Sequence, residues 1–137
     1  MNVASIGQDP IDFDDVMLER DYNGGRAYRQ SKLAQITAGF VLAERLWPEA
    51  ITVNSLHPGT YMPTKMVLQE LGHSVETLEV GELATRKLVT DPDLATTTGR
   101  FFDHTVDARA NSTAYDADVR RRLWELSLDL TGTPDLT

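Results

Sequence analysis

Tyr28 and Lys32 stand four residues apart in the segment Ala27-Tyr28-Arg29-Gln30-Ser31-Lys32. On a helix, that spacing puts both side chains on one face, with Cβ atoms roughly 5–6 Å apart. A phenol of pKa ~10 is a poor acid-base group at neutral pH, and bringing it to about 7 takes roughly 4 kcal/mol. One cation about 4 Å away, at an effective dielectric near ~20, supplies energy of that order. The pair is therefore a physical route to a tyrosinate that shuttles protons. The same spacing also occurs as an ordinary surface pair on an amphipathic helix, so the flanking sequence has to decide.

The flanks predict an α/β chain with a parallel sheet. Met1-Asn2-Val3-Ala4-Ser5 reads as the end of a buried strand that begins abruptly, which implies missing residues upstream. A helix follows from about Gly25 to Leu46, with Ala27, Ser31, Ala34, Ala38 and Val41/Leu42 as a stripe of mostly small residues that lets a neighbour approach closely. Trp47-Pro48 ends it. Ala50 to Leu56 is a β-branched run bounded by prolines, hence a strand, and His57 to Thr64 is the loop at its carboxyl end. In open α/β sheets ligands bind at such loops. Lys65 to Leu71 forms a short helix closed by Gly72. Ser74 caps the next helix, with Glu76 and Glu79 near its positive end, and Val80, Leu83, Ala84 and Leu88 as its buried face. Gly99 to Asp103 reads as a strand, and Tyr115 to Leu130 as a last helix burying Val119, Leu123, Leu126 and Leu130.

Composition narrows the function classes. The chain has 137 residues, enough for one domain, and no cysteine, which excludes disulfides, Cys-zinc sites and thiol catalysis. A net charge of −8 opposes general nucleic-acid affinity. Arg120-Arg121-Arg122 sits among Asp116, Asp118 and Glu125 and reads as a solvated helix side. No apolar run reaches membrane-spanning length and no leader pattern opens the chain, so the expectation is a cytoplasmic protein.

The other candidates have plain readings. Asp9, Asp12, Asp14 and Asp15 fail the calcium-loop rule, because Val16 and Met17 occupy the fifth and sixth positions from Asp12. His57, His73 and His104 do not fall at metal-ligand spacing, so no metal site is expected, and His57 reads as a loop-packing residue. Trp47 and Trp124 read as packing residues. Ser5 lies in Val-Ala-Ser-Ile-Gly, which is not a nucleophile elbow, and it gains meaning only beside Tyr28.

Three features occur in the order found in one family. Asn2-Val3-Ala4-Ser5, Tyr28-Arg29-Gln30-Ser31-Lys32 and Val53-Asn54-Ser55-Leu56-His57-Pro58-Gly59 together resemble the short-chain dehydrogenases/reductases. Gly99 to Asp103 and Leu123 to Ser127 resemble the branch containing retinol-dehydrogenase-like enzymes. The resemblance spans residues 1–137 as one unit and implies a partial Rossmann-type, doubly wound parallel sheet, the carboxyl-terminal half of the family's domain. The Gly-rich turn, the residue choosing NAD or NADP and the Asn-Asn-Ala-Gly segment have no counterpart.

By that resemblance, Tyr28 is the general acid-base of an alcohol–carbonyl interconversion. Lys32 lowers its pKa and binds the nicotinamide ribose, and Ser5 polarises the carbonyl. Pro58, Gly59 and Thr60 present backbone groups to the carboxamide, with Thr64 or Thr60 as hydroxyl partner. NAD or NADP is the implied cofactor and a small alcohol or ketone the substrate, with a homodimer as the full-length state. The long gap between Ser5 and Tyr28 implies a substrate-side loop carrying Phe13, Met17 and Tyr22. Two other readings stand beside this one: a truncated, non-catalytic interaction or remnant protein, and a sugar-nucleotide epimerase sharing the Tyr/Lys pair.

Overall fold

Asn23 opens the longest element by accepting a hydrogen bond from the Arg26 amide at 2.9 Å, which caps helix α1 (Gly24–Leu46). In the computed structural model, residues 1–136 are described. Pro48 lies in the short 3-10 turn Trp47–Glu49 that ends the run, and Ala50 turns the chain in a left-handed conformation. Strands β1 (Asn2–Val3), β2 (Ser55–His57), β3 (Phe101–Asp103) and β4 (Val106–Ala108) form one sheet in the order β1-β2-β3-β4. β1, β2 and β3 run parallel, and β4 returns antiparallel to β3. Three further helices are α2 (Lys65–Leu71), α3 (Leu78–Thr90) and α4 (Ala117–Thr131).

Side chains alternate across a strand, so consecutive Phe101 and Phe102 point to opposite faces of the sheet. Phe101 packs with Leu33, Ile36, Phe40, Ala4, Ala110 and Ala114 under α1. Phe102 packs with Leu56 and Ala84 under α3. Helices thus cover both faces of a mostly parallel sheet, the partial doubly wound α/β arrangement expected. Gly39 brings α1 onto the strands: a Cβ there would lie 2.7 Å from Asn2 Nδ2 and 3.1 Å from Ser55 Oγ.

Several boundaries differ from the sequence reading. Hydrogen-bonded strand is confined to Ser55–His57, not Ala50 to Leu56, because the preceding residues bond to a turn. Thr98 Oγ1 accepts from the Val53 amide, Asn54 Nδ2 donates to the Thr97 carbonyl, and the Arg100 amide donates to Asn54 Oδ1. Thr77, not Ser74, is the N-cap of α3. Leu83 is exposed, and Gly81 and Ala84 are the buried residues of α3. On α1 the buried residues include Gln30, Leu33, Ile36, Thr37, Phe40 and Ala43, while Ser31 is exposed and Ala34 and Ala38 are half-buried. The longer apolar side chains won the interior, since they bury more surface than alanines do. Tyr115 belongs to a 3-10 turn before α4, and Leu130 is exposed beside the C-cap Gly132, whose φ of 64° suits glycine. Arg121 does lie on a solvated face, paired with Asp118 and Glu125, but Arg120 covers the Phe40 ring and pairs with Glu44 at 2.6 Å.

The carboxyl end is strapped down by Asp135. Its Oδ1 accepts from Trp124 Nε1 at 2.7 Å and from the Arg45 guanidinium at 2.6 Å. The Trp124 indole, and after it Arg45, hold this carboxyl below the 3.8 of an ordinary aspartate. A lowered folded value means the strap's contribution is present above 3.8 and is lost as pH falls through the folded value. Trp124 emission, read in a Trp47→Phe background, is therefore expected to stay constant down to pH 3.8 and to change only below it. A transition centred above that value would overturn the assignment.

Candidate active site

The carboxyl end of β1 meets the first turns of α1. Lys32 Nζ donates to the Val3 carbonyl at 3.1 Å and lies 5.7 Å from the centre of the Tyr28 ring. Two residues beyond Val3, Ser5 is 7% exposed, and its Oγ accepts from the Gly7 amide at 3.1 Å. The segment after Ser5 is tied to α1, because Asp9 pairs with Arg29 at 2.7 Å and the Asp9 amide donates to the Arg29 carbonyl. Lys32 thus links the Tyr28 ring to the strand end that Ser5 follows, and the Tyr28 ring is half exposed.

Pro58 lies level with Ser5, since Val3 pairs with Leu56 and each lies two residues further on. The loop Pro58, Gly59 and Thr60 therefore flanks the same edge. Its donors are partly engaged: the Thr60 amide donates to Glu76 Oε2, and Thr60 Oγ1 lies 3.1 Å from His57 Nε2. Thr64 Oγ1 caps α2 by accepting from the Val67 amide. The loop before α1 is less open than its composition suggests. Asp12 pairs with Arg26 at 2.8 Å, and Phe13 is covered by the Arg122 guanidinium at 4.5 Å. Of its three apolar residues, Met17 and Tyr22 are exposed and Phe13 faces α4's arginine instead.

Behind this loop lies a cluster that linear spacing did not reveal. His57, Glu76 and His104 each place a potential ligand atom within 4.8 Å of the others. His104 Nε2 is 3.0 Å from both Glu76 oxygens, and its Nδ1 is 2.7 Å from Asp103 Oδ1. Hydrogen bonding to Glu76, and then to Asp103, raises the His104 pKa above the ordinary 6.5. The Thr60 amide and then His104 lower that of Glu76, while burial lowers that of His57. His57 is the last residue of β2 and is buried, where the sequence reading had a loop residue, and Glu76, just before the Thr77 cap of α3, bridges the β2 loop and the β3–β4 turn. Only the Asp103-His104 pair directly after a predicted strand hinted at this.

Human retinol dehydrogenase 14 is 31% identical over 134 residues, covering 89% of this chain and 40% of the relative. Human retinol dehydrogenase 13 is 32% identical, covering 89% and 41%. The short-chain dehydrogenase TIC 32 A, chloroplastic, of Brassica napus is 28% identical, covering 95% and 46%. A crystal structure of an uncharacterized protein from Mycobacterium paratuberculosis superposes with a TM-score of 0.62 at 23% identity, over 98% of this chain and 50% of that one. No family model matches. Over nearly its whole length the chain is a homologue of retinol dehydrogenases and other short-chain dehydrogenases. It spans less than half the length of these curated relatives. Among the described residues, no helix is long and apolar enough to cross a membrane.

Proposed function

We propose that residues 1–137 form the catalytic half of an NAD(P)-dependent oxidoreductase that interconverts a small alcohol and its ketone or aldehyde. The observation that supports this reading is Lys32, which reaches the Val3 carbonyl two residues before Ser5 and lies 5.7 Å from the Tyr28 ring centre. The bound nicotinamide supplies the hydride acceptor or donor. Tyr28 gives or takes the hydroxyl proton, and its half-exposed ring leaves room for a substrate. Lys32 places positive charge beside that phenol and offers its remaining donors to a ribose. Ser5 Oγ, accepting from Gly7, keeps its own proton free to donate to a carbonyl oxygen. Pro58, Gly59 and Thr60, with Thr64, edge the nicotinamide position, and Glu76 holds this loop by accepting from the Thr60 amide and donating its own amide to the Thr60 carbonyl.

The donor set fits the nicotinamide end of the cofactor. The 137 residues contain no Gly-x-Gly-x-x-Gly turn at a helix start to cradle a pyrophosphate. Calorimetry with NADH and NADPH on the 137-residue chain is therefore expected to show no micromolar binding. A chain extended by the amino-terminal half of a relative is expected to bind one of them and oxidise an alcohol. Micromolar binding by the short chain would overturn the assignment of phosphate anchoring to other residues, and an inert extended chain would overturn the enzymatic reading.

A homodimer of the complete enzyme belongs to the same proposal, supported by the half-buried Ala34 and Ala38 stripe on α1. A cytoplasmic location rests on the sequence alone. A second reading, an interaction or remnant protein, draws on the edge of β1, where Met1, Val3 and Ile6 are exposed. Cooperative thermal unfolding with a monomeric mass would count against it.

A further inference from the structure

We infer that His57, Glu76 and His104 form a binding site for a divalent transition-metal ion of the zinc type. Two imidazoles and one carboxylate are a ligand set that such ions favour, with bonds of ~2.0–2.2 Å. Tetrahedral bonds of that length separate the ligand atoms by roughly 3.4 Å. Here all three lie within 4.8 Å, and His104 is already 3.0 Å from Glu76. His57 is 5% exposed and fixed at the end of β2. Glu76 and His104 come from loops and can close the remaining distance.

Two further features point to a ligand. Asp103 holds His104 Nδ1 at 2.7 Å, so Nε2 is the nitrogen turned toward the cluster. That is the way an outer carboxylate orients a metal-bound histidine. His104 Nε2 faces both oxygens of Glu76 at 3.0 Å, a separation that an imidazolium N–H spans to a carboxylate and that is also close to the spacing of two ligands on one ion. His104 also sits in the two-residue connection between β3 and β4 with a φ of 53°, where glycine or asparagine is the ordinary occupant. Backbone strain of this kind persists where surrounding structure enforces it. An ion here would link the end of β2, the β3–β4 turn and the segment entering α3. It would hold the Pro58–Thr60 loop through His57 and Glu76, so its role is to position that loop. The site stands whether or not the chain is catalytic.

The test is calorimetric titration of the 137-residue protein with zinc chloride, paired with Co²⁺ absorption spectra, which report tetrahedral coordination. The expected result is one equivalent bound, with a tetrahedral cobalt spectrum. His57→Ala, Glu76→Gln and His104→Ala should each weaken binding at least about ten-fold, and Asp103→Asn by about 10–100-fold. His73→Ala, at an exposed histidine bonded to the Leu71 carbonyl, should leave it unchanged. Because a variant could misfold, paramagnetic broadening by Co²⁺ is also read in the unmodified protein, where His57 and His104 resonances should vanish first. Absence of stoichiometric binding, or broadening centred on His73, would show an ion pair alone and overturn the proposal.

Discussion

Tyr28→Phe is expected to lower turnover of an alcohol by about 10²–10⁴-fold, the range a positioned proton donor contributes. At 1.36 kcal/mol per decade that is roughly 3–5 kcal/mol of lost transition-state stabilisation. The ring is 50% exposed, and the removed hydroxyl carries no hydrogen bond in the described structure that folding depends on. Stability should therefore move by no more than about 0.5 kcal/mol. Loss of rate with unchanged unfolding separates chemistry from structure. The assay follows reduced nicotinamide in a chain joined to the amino-terminal half of a relative. Lys32→Ala is a useful contrast. It removes the charge near Tyr28 and also the 3.1 Å bond to the Val3 carbonyl, so it should disturb both rate and the β1 edge. Retention of turnover within about ten-fold by Tyr28→Phe would remove Tyr28 from the proton path.

Local chemistry made much of this fold legible. The prolines at 48 and 92, and glycines 72 and 132, mark element ends because they act through their own backbone angles, which no distant contact can change. The Tyr28/Lys32 pair was legible for the same reason, since helical geometry alone sets its spacing. What depended on neighbours was not. Which face of α1 turns inward was decided by the sheet and by Ala110 and Ala114, not by the small-residue stripe. β4 was missed because Val106 to Ala108 shows one exposed valine and an aspartate, a pattern that only pairing with β3 turns into a strand. The cluster of His57, Glu76 and His104 joins residues up to 47 positions apart, and no local rule connects them.

Phe101→Ala is expected to cost about 3–5 kcal/mol, measured by urea unfolding of the 137-residue chain. The side chain is 2% exposed and central to the larger of the two apolar clusters, touching residues from α1 and from the segment between β4 and α4. Truncation leaves a cavity that cannot collapse easily. Leu33, Ile36 and Phe40 are held by α1, and α1 is held against the strands at Gly39. A domain of this size has about 5–15 kcal/mol in total, so the substitution removes a large share. Phe102→Ala tests the opposite face, where Leu56 and Ala84 form a smaller cluster and Leu88 and Leu94 are only partly buried. Those flanking residues can shift into the space, so its cost should be the lower of the two. If Phe102→Ala proves the more damaging, α3 and not α1 carries the main core.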